Sequence, residues 1–423
     1  MHLIIALYYF IRAQKPLRAF DSGATAMSIL RRKRKYRIVQ TPRFLNFFRK
    51  NTEASVSRGN RVTLFSQGGE FLTSMLQALR EAERLIVLEF YIIKDDGTGC
   101  AFAETLLSAA GRGVDILLLY DYVGCFDTPA SYFKRLGKGG VKCLPFNPPP
   151  FRKGIGWFDK RDHRKMAVID GRAAFVGGLN IANEYAGYGE SVKHWRDMGV
   201  RIDGPAAAEL QQLFLDSWLG ENGMIDDAVR REAAIPVEDA DGAEVMIVSG
   251  GPHHNRSFIR GAFRMALAGA SEDIKILNPY FLPGPRVLRS LLRAAGRGVR
   301  VQLILPAKSD VPLVSLISRS YYALLLRGGI EIFERQGTML HAKVMLIDDY
   351  WAVIGSANLD QRSFHRNYEV NVVVDSREFG GQVAEMFAED LARSLRIVLE
   401  EHERRGFWVR LLERCCAPIS WFL

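Results

Sequence analysis

Cysteine is scarce in this 423-residue chain and has no pattern: Cys100, Cys125 and Cys143 are scattered, and Cys415 and Cys416 are adjacent. That excludes a disulfide framework and zinc-ligand spacing, and leaves reduced structural thiols as the default. Long apolar runs are missing as well. Leu3–Ile11 stops after nine residues at Arg12, about half of the roughly 20 needed to cross a bilayer. Its charged residues follow the apolar run instead of preceding it, the wrong order for a secretory signal. The expected address is the cytoplasmic face of the cell membrane, held peripherally.

Acid is nearly absent from residues 1–52, which hold 12 of the 57 Lys and Arg residues but only Asp21 among the 47 acids. The remainder is therefore close to neutral, and the net charge of +10 is local. An enzyme acting on nucleic acid is expected to line its cleft with basic residues, so a neutral body argues against a nucleic-acid partner. The basic excess sits in Arg31–Arg37 and in Thr41–Lys50, where Phe44, Leu45, Phe47 and Phe48 interleave with Arg43, Arg49 and Lys50. That combination suits an anionic membrane surface; a solvated basic tail is the alternative. At the other end, Phe407, Trp408, Leu411, Leu412 and Cys415 recur at helical spacing, as in a helix lying in a membrane interface or docked on the protein's own core.

What the chain does have is an internal repeat. "HRKMAVIDGRAAFVGGLN" from His163 and "HAKVMLIDDYWAVIGSAN" from His341 place His, Lys, Asp, Gly and Asn at identical intervals. Other pieces recur in the same order. "LLSAAGRGVDILLLYD" (106–121) parallels "LLRAAGRGVRVQLILP" (291–306), each a helix ending at glycine and then a strand. Two α/β units with helices against a largely buried sheet are predicted. The expected divisions are a basic membrane-associating segment over 1–52, halves over 53–236 and 237–400, and a C-terminal amphipathic helix over 401–423. The acidic, proline-containing stretch 224–244 serves as linker, and the Pro/Gly-rich loop 146–160 leads into the first motif as part of a substrate mouth or as an ordinary surface loop.

Alternate side chains of a strand share a face, so His163 and Lys165 point one way, as do His341 and Lys343. An ammonium beside an imidazole repels a metal cation but suits an anion whose oxygens accept hydrogen bonds, and phosphate is the natural candidate. No metal or cofactor is expected. Asp170 and Asp348 have the opposite parity and fall at the turn into the next strand, as orienting or turn residues. Gly177, Gly178 and Asn180, matched by Gly355, Ser356 and Asn358, allow close backbone approach and supply amide donors to a phosphoryl oxygen.

This pattern resembles the phospholipase D superfamily, whose signature is HxKxxxxD followed by GGxN or GSxN; both copies are intact. The resemblance spans about Asn60 to Leu395. With "NPYFLPG" (278–284), "HWRDMGVRIDGP" (194–205), "LFLDSW" (213–218) and "ANLDQRSFHRNYEVNVVVD" (357–375), it is most similar to bacterial cardiolipin synthases of the shorter type lacking N-terminal transmembrane helices. The resemblance implies two pseudo-symmetric α/β/α sandwich halves with one active site in the cleft between them. It further implies transfer of a phosphatidyl group between two phosphatidylglycerols through a phosphohistidine. Under it, His163 is the nucleophile, His341 the acid/base, and Lys165, Lys343, Asp170 and Asp348 complete the catalytic set. Asn180, Asn358, Ser356, Gly177 and Gly355 meet the substrate, Glu369 orients a catalytic His, and Asp197 is the looser counterpart. Water as acceptor, giving a phospholipase, and a nuclease using the same site stay open. Gly178 departs from the Ser seen in many members, so the two half-sites are chemically unequal.

Overall fold

The computed structural model describes residues 39, 41–149, 159–187, 193–225, 242–252 and 257–421. Arg31–Arg37, the Leu3–Ile11 run, the division near residue 237 and most of the loop 146–160 lie outside these residues.

The first half contains β1 (Ser55–Phe65), β2 (Leu85–Phe90), β3 (Asp115–Asp121), β4 (Lys142–Phe146), β5 (Arg161–Asp162), β6 (Lys165–Ile169), β7 (Ala173–Gly177) and β8 (Gly199–Asp203). The second contains β9 (Ala243–Gly250), β10 (Asp273–Leu277), β11 (Arg300–Pro306), β12 (Glu331–Arg335), β13 (Val344–Ile347), β14 (Trp351–Gly355), β15 (Asn367–Asp375) and β16 (Ser394–Arg396). The sheet order is β16-β12-β11-β10-β13-β14-β15-β9-β1-β8-β7-β6-β2-β3-β4. Read outward from the β9–β1 junction, the two sides mirror each other over seven strands, with β16 an extra edge strand on the second side, and β2, β3 and β4 are parallel just as β10, β11 and β12 are. The repeat in the sequence is thus a repeat of topology.

The strands are apolar runs buried along their length, "LIVLEF" in β2 and "WAVIG" in β14 among them, which suits sheets covered on both faces. Helices Gly68–Glu81, Gly97–Gly111 and Ala130–Lys138 cover the outer face of the first half, and helices Phe258–Gly269, Gly284–Gly296 and Pro312–Ser320 that of the second. A third core is shared: Phe214 and Trp218 of helix Pro205–Gly220 and Val383 and Phe387 of helix Arg377–Ala392 join strand residues of both halves, including Val168 and Ile354. The halves are therefore one packed body with their inner faces joined.

The stretch Thr41–Lys50, whose composition suits an anionic membrane surface, packs its aromatic face on the protein itself. It forms helix Pro42–Thr52, capped by the Thr41 hydroxyl, which accepts from Phe44 N–H at 3.3 Å. Helical spacing gathers Phe44, Leu45 and Phe48 on one face, and that face packs on helix Phe258–Gly269 and on Trp351, whose ring lies 5.1 Å from Phe48 and 6.1 Å from Phe44, edge-on. Phe47, Arg43, Arg49 and Lys50 remain exposed. At the other terminus helix Phe407–Cys416 does the reverse. Buried Glu413 pairs with Arg405 at 2.6 Å, while Phe407, Trp408, Val409, Leu411 and Leu412 face solvent, Trp408 at 76% exposure. Among the described residues, no helix is long and apolar enough to cross a membrane.

Candidate active site

Each histidine precedes a strand and is stitched to the opposite half. β5 pairs in parallel with β15, and His163 N–H donates to Tyr368 O at 2.9 Å. In the second motif, Arg196 bridges Leu340, and His341 N–H donates to Arg196 O at 2.8 Å. The residue after each accepting carbonyl then supplies a carboxylate. Glu369 of the second half receives Nδ1 of His163, with both oxygens at 3.0 Å, and Asp197 of the first half receives Nδ1 of His341 at 2.6 Å. The orienting pairs are crossed. A carboxylate accepts only, so each ring carries its proton on Nδ1, and Nε2 holds the lone pair, which in His341 lies 3.1 Å from Lys343 Nζ.

The two ammonium groups differ in placement. Lys165 Nζ donates to His163 O at 2.7 Å and lies 5.1 Å from the centre of the Tyr91 ring. Lys343 Nζ donates to His341 O and also crowds that ring, 2.8 Å from Nδ1 and 3.1 Å from Nε2. His163 therefore has the less obstructed imidazole. Burial, reinforced by the neighbouring ammoniums, draws both histidines down to about 4 against the pull of their carboxylates. Both rings are neutral near pH 7. Burial lowers Lys165 to about 7 and Lys343 to about 8, with Glu369 and Asp197 opposing. Burial would raise Glu369, but His163, Lys165 and the Ser356 hydroxyl outweigh it and hold the carboxyl below its ordinary value. The site thus has two ammoniums near their titration point and two neutral imidazoles, a distribution that a bound anion would stabilise.

Several expected residues stand elsewhere. Asp170 and Asp348 are not among the groups facing the cleft. They follow β6 and β13, about 16 Å along the strand from the histidine end. Asp170 accepts from the N–H groups of Glu83, Arg84 and Leu85, and Asp348 from those of Ser271, Glu272 and Asp273. Both have φ of 54°, a left-handed turn geometry that aspartate tolerates. They staple the entry of β2 and β10 to the motif hairpins. The Ser356 hydroxyl is engaged within the fold: it donates to Glu369 at 2.5 Å and accepts from Val370 N–H. The Asn180 amide is occupied by Ile92 N–H at 3.0 Å and the Tyr185 hydroxyl at 2.9 Å, whereas Asn358 Oδ1 is buried without a partner. Gly177 and Gly355 admit a neighbouring strand rather than a ligand, since a Cβ would lie 2.6 Å from Met198 O and 2.2 Å from Val370 O. At Gly178 a Cβ would lie 2.4 Å from the Asp197 carboxylate, so the Gly/Ser inequality tracks the Asp/Glu inequality of the orienting pairs.

Sequence reasoning did not single out the aromatic frame. Tyr91 lies 5.0 Å from the His163 ring, and Trp195 and Tyr185 lie 5.1 and 5.5 Å from that of His341, with Tyr280 at 6.2 Å. Trp195 and Tyr280 sit in the "HWRDMG" and "NPYFLPG" stretches, so a signal existed.

Duplicated α/β halves that bring two HxKxxxxD motifs to one cleft define an enzyme of the phospholipase D fold. Residues 75–218 and 263–391 match the family described as "Cardiolipin synthase, PLD-like domain", and the chain belongs to that family. It is 35% identical over 368 residues to a cardiolipin synthase of Geobacillus kaustophilus, covering 86% of this chain and 73% of that one. Cardiolipin synthase 2 of Bacillus anthracis is 34% identical, over 85% of this chain and 70% of its own. Among solved structures, phosphatidylserine synthase of Haemophilus influenzae superposes with a TM-score of 0.69 at 14% identity, covering 89% of this chain and 99% of that one. That likeness is one of fold.

Proposed function

We propose that this protein is a cardiolipin synthase that moves a phosphatidyl group from one phosphatidylglycerol to the hydroxyl of another. The observation that carries the reading is the crossed arrangement, which puts two oriented, neutral imidazoles and two ammoniums around one cleft. His163 Nε2 attacks phosphorus, forming a P–N bond as the P–O bond to glycerol breaks; the departing oxygen takes a proton held by His341 once the anionic substrate has raised its basicity. The second phosphatidylglycerol then enters, His341 removes its hydroxyl proton, and the new P–O bond displaces His163. Atoms balance, with glycerol as the only product besides cardiolipin. Lys165, Lys343 and Asn358 stabilise charge on the non-bridging oxygens. The less obstructed ring of His163 favours it as nucleophile, and the Lys343 contact suits His341 to proton traffic.

The exposed apolar face of helix Phe407–Cys416 supports peripheral attachment to an anionic membrane, at the cytoplasmic face. The test is purified protein with phosphatidylglycerol vesicles, lipids followed by mass spectrometry. Cardiolipin and glycerol in equal amounts are expected. Phosphatidic acid alone would make the acceptor water, and cleavage of single-stranded DNA without lipid turnover would overturn the lipid reading. His163→Ala and His341→Ala are each expected to abolish transfer.

A further inference from the structure

Exposed apolar side chains of the first half gather at the mouth of the cleft. The connection after β3 carries Tyr122, Val123 and Phe126, all exposed, Phe126 at 76%. Its base is rigid. Asp121 Oδ1 accepts from Val123 and Gly124 N–H at 2.9 Å each, buried Cys125 reaches Tyr91 O at 3.5 Å, and a Cβ on Gly124 would lie 2.1 Å from that same carbonyl. The apolar tips are therefore held out from a platform resting on Tyr91, the residue whose ring flanks His163. The second half repeats the device after β11. Val311 is exposed beside Asp310, which accepts from the Tyr280 hydroxyl at 2.8 Å, and Tyr280 flanks His341.

Positive charge collects around the short helix Gln361–His365, whose Arg362 acts electrostatically on Tyr91 beside His163. His365, at the end of the short helix after the second motif, is held to about 4 by burial and by Arg260, Arg286, Arg366 and Lys160. Arg264 joins them, and Arg260 is itself drawn down to about 10 by burial and its arginine neighbours. Among the described residues, Asp159 pairs with this group, 3.4 Å from Arg366. The cluster carries a surplus of cations on a body that is otherwise neutral.

We propose that the mouth is itself a docking face for an anionic phospholipid bilayer. Phe126, Val123 and Tyr122, with Val311 opposite, enter the acyl boundary, and the arginines around His365 meet the phosphates. The cleft then opens directly onto headgroups. The proposal rests on the lipid reading above. A protein partner seated on tips that flank both sides of the mouth would close it, whereas a bilayer there is both the surface and the supply of substrate.

The experiment uses the full chain carrying Val123→Ser and Phe126→Ser together. Turnover is measured on mixed phosphatidylglycerol/phosphatidylcholine vesicles and on a short-chain phosphatidylglycerol kept monomeric. Vesicle turnover is expected to fall roughly tenfold or more while monomer turnover stays within about twofold, which also shows that the variant is folded. Unchanged vesicle turnover, or equal loss on both substrates, overturns the proposal. So does loss of vesicle turnover by Phe407→Ser/Trp408→Ser without any loss from the mouth variant. Arg264→Glu/Arg286→Glu is expected to weaken pelleting with anionic vesicles but not with neutral ones; an equal effect on both counts against the charged contact. If the unmodified protein turns over neither lipid form, the proposed function fails, and pelleting of the mouth variant with anionic vesicles still decides the docking face.

Discussion

Replacing Glu369 by Gln leaves the shape of the site and removes one charge. Glu369 is fully buried, holds His163 Nδ1 with both oxygens at 3.0 Å and takes the Ser356 hydroxyl at 2.5 Å. A charge-assisted bond of this kind contributes about 1.5–3 kcal/mol. The larger effect is tautomeric: the Gln amide donates to Nδ1, moves the ring proton to Nε2 and occupies the lone pair that attacks phosphorus. Inversion of this type in a His–carboxylate pair costs about 10⁴ in rate, so transfer is expected to fall about 10³- to 10⁴-fold with the fold intact. The discriminating assay uses a phosphatidyl ester of p-nitrophenol, whose departure needs no proton from the enzyme. Asp197→Asn, acting on His341, should retain a rapid burst of p-nitrophenol equal to the enzyme present and then stall for want of a base. Glu369→Gln should lose the burst. The opposite pattern would reverse the roles of the two histidines, and wild-type rates in both variants would refute the orienting function of the carboxylates altogether.

The lysines give a pH signature. Ammonium forms are present below the pKa, so with Lys165 near 7 and Lys343 near 8, kcat/KM on monomeric substrate should fall as pH rises through that window. The acid side should hold until the nucleophile His163 protonates near 4. Lys165→Arg should move the alkaline limb upward at reduced rate, and a profile flat through the alkaline range would contradict it. Asp170→Ala and Asp348→Ala each orphan three backbone donors and should lower stability by about 2–4 kcal/mol in urea unfolding, with kcat within about twofold. Phe48→Ala should cost about 3–5 kcal/mol, because the ring is buried against Trp351. Deletion of residues 1–52, which removes this ring, should therefore lower the melting temperature.

Much of this was legible because it is written in short-range spacing. The strand period puts His and Lys on one side, and the duplicated order of elements required matching halves. What failed to show was whatever depends on pairing between distant segments. Glu369 and Asp197 were expected to orient a histidine, but nothing in the sequence says that each serves the histidine of the other half, 206 residues away for His163 and Glu369, since the cross arises from β5 adding in parallel to β15. Asp170 and Asp348 stand at the turns where strand parity placed them, and it is the catalytic place implied by the resemblance that their backbone hydrogen bonds do not support. Ser356 and Asn180 are polar residues beside the reacting groups, so substrate contact was the natural expectation. The fold spends their hydrogen bonds internally, on Glu369 and on Ile92 and Tyr185, because buried polar atoms must be satisfied whether or not substrate is present.

The crossing also explains why the two motifs cannot work separately. A half removed from its partner keeps its His and Lys but loses the carbonyl that fixes the His backbone and the carboxylate that fixes the ring, and both losses fall on the same side chain. Arg196 strengthens the interdependence. Its carbonyl receives His341 N–H, while its guanidinium pairs at 2.8 Å with Asp390, which also holds Arg335 at 2.7 Å. Any motion that separates the halves must break this buried pair and misalign the acid/base together. Opening between the halves is thus a poor route for a second bulky lipid to reach the phosphoenzyme. On the proposed function the acceptor would enter through the mouth, over Tyr91 and Tyr280, and a donor and acceptor drawn from one membrane plane would need no other entrance.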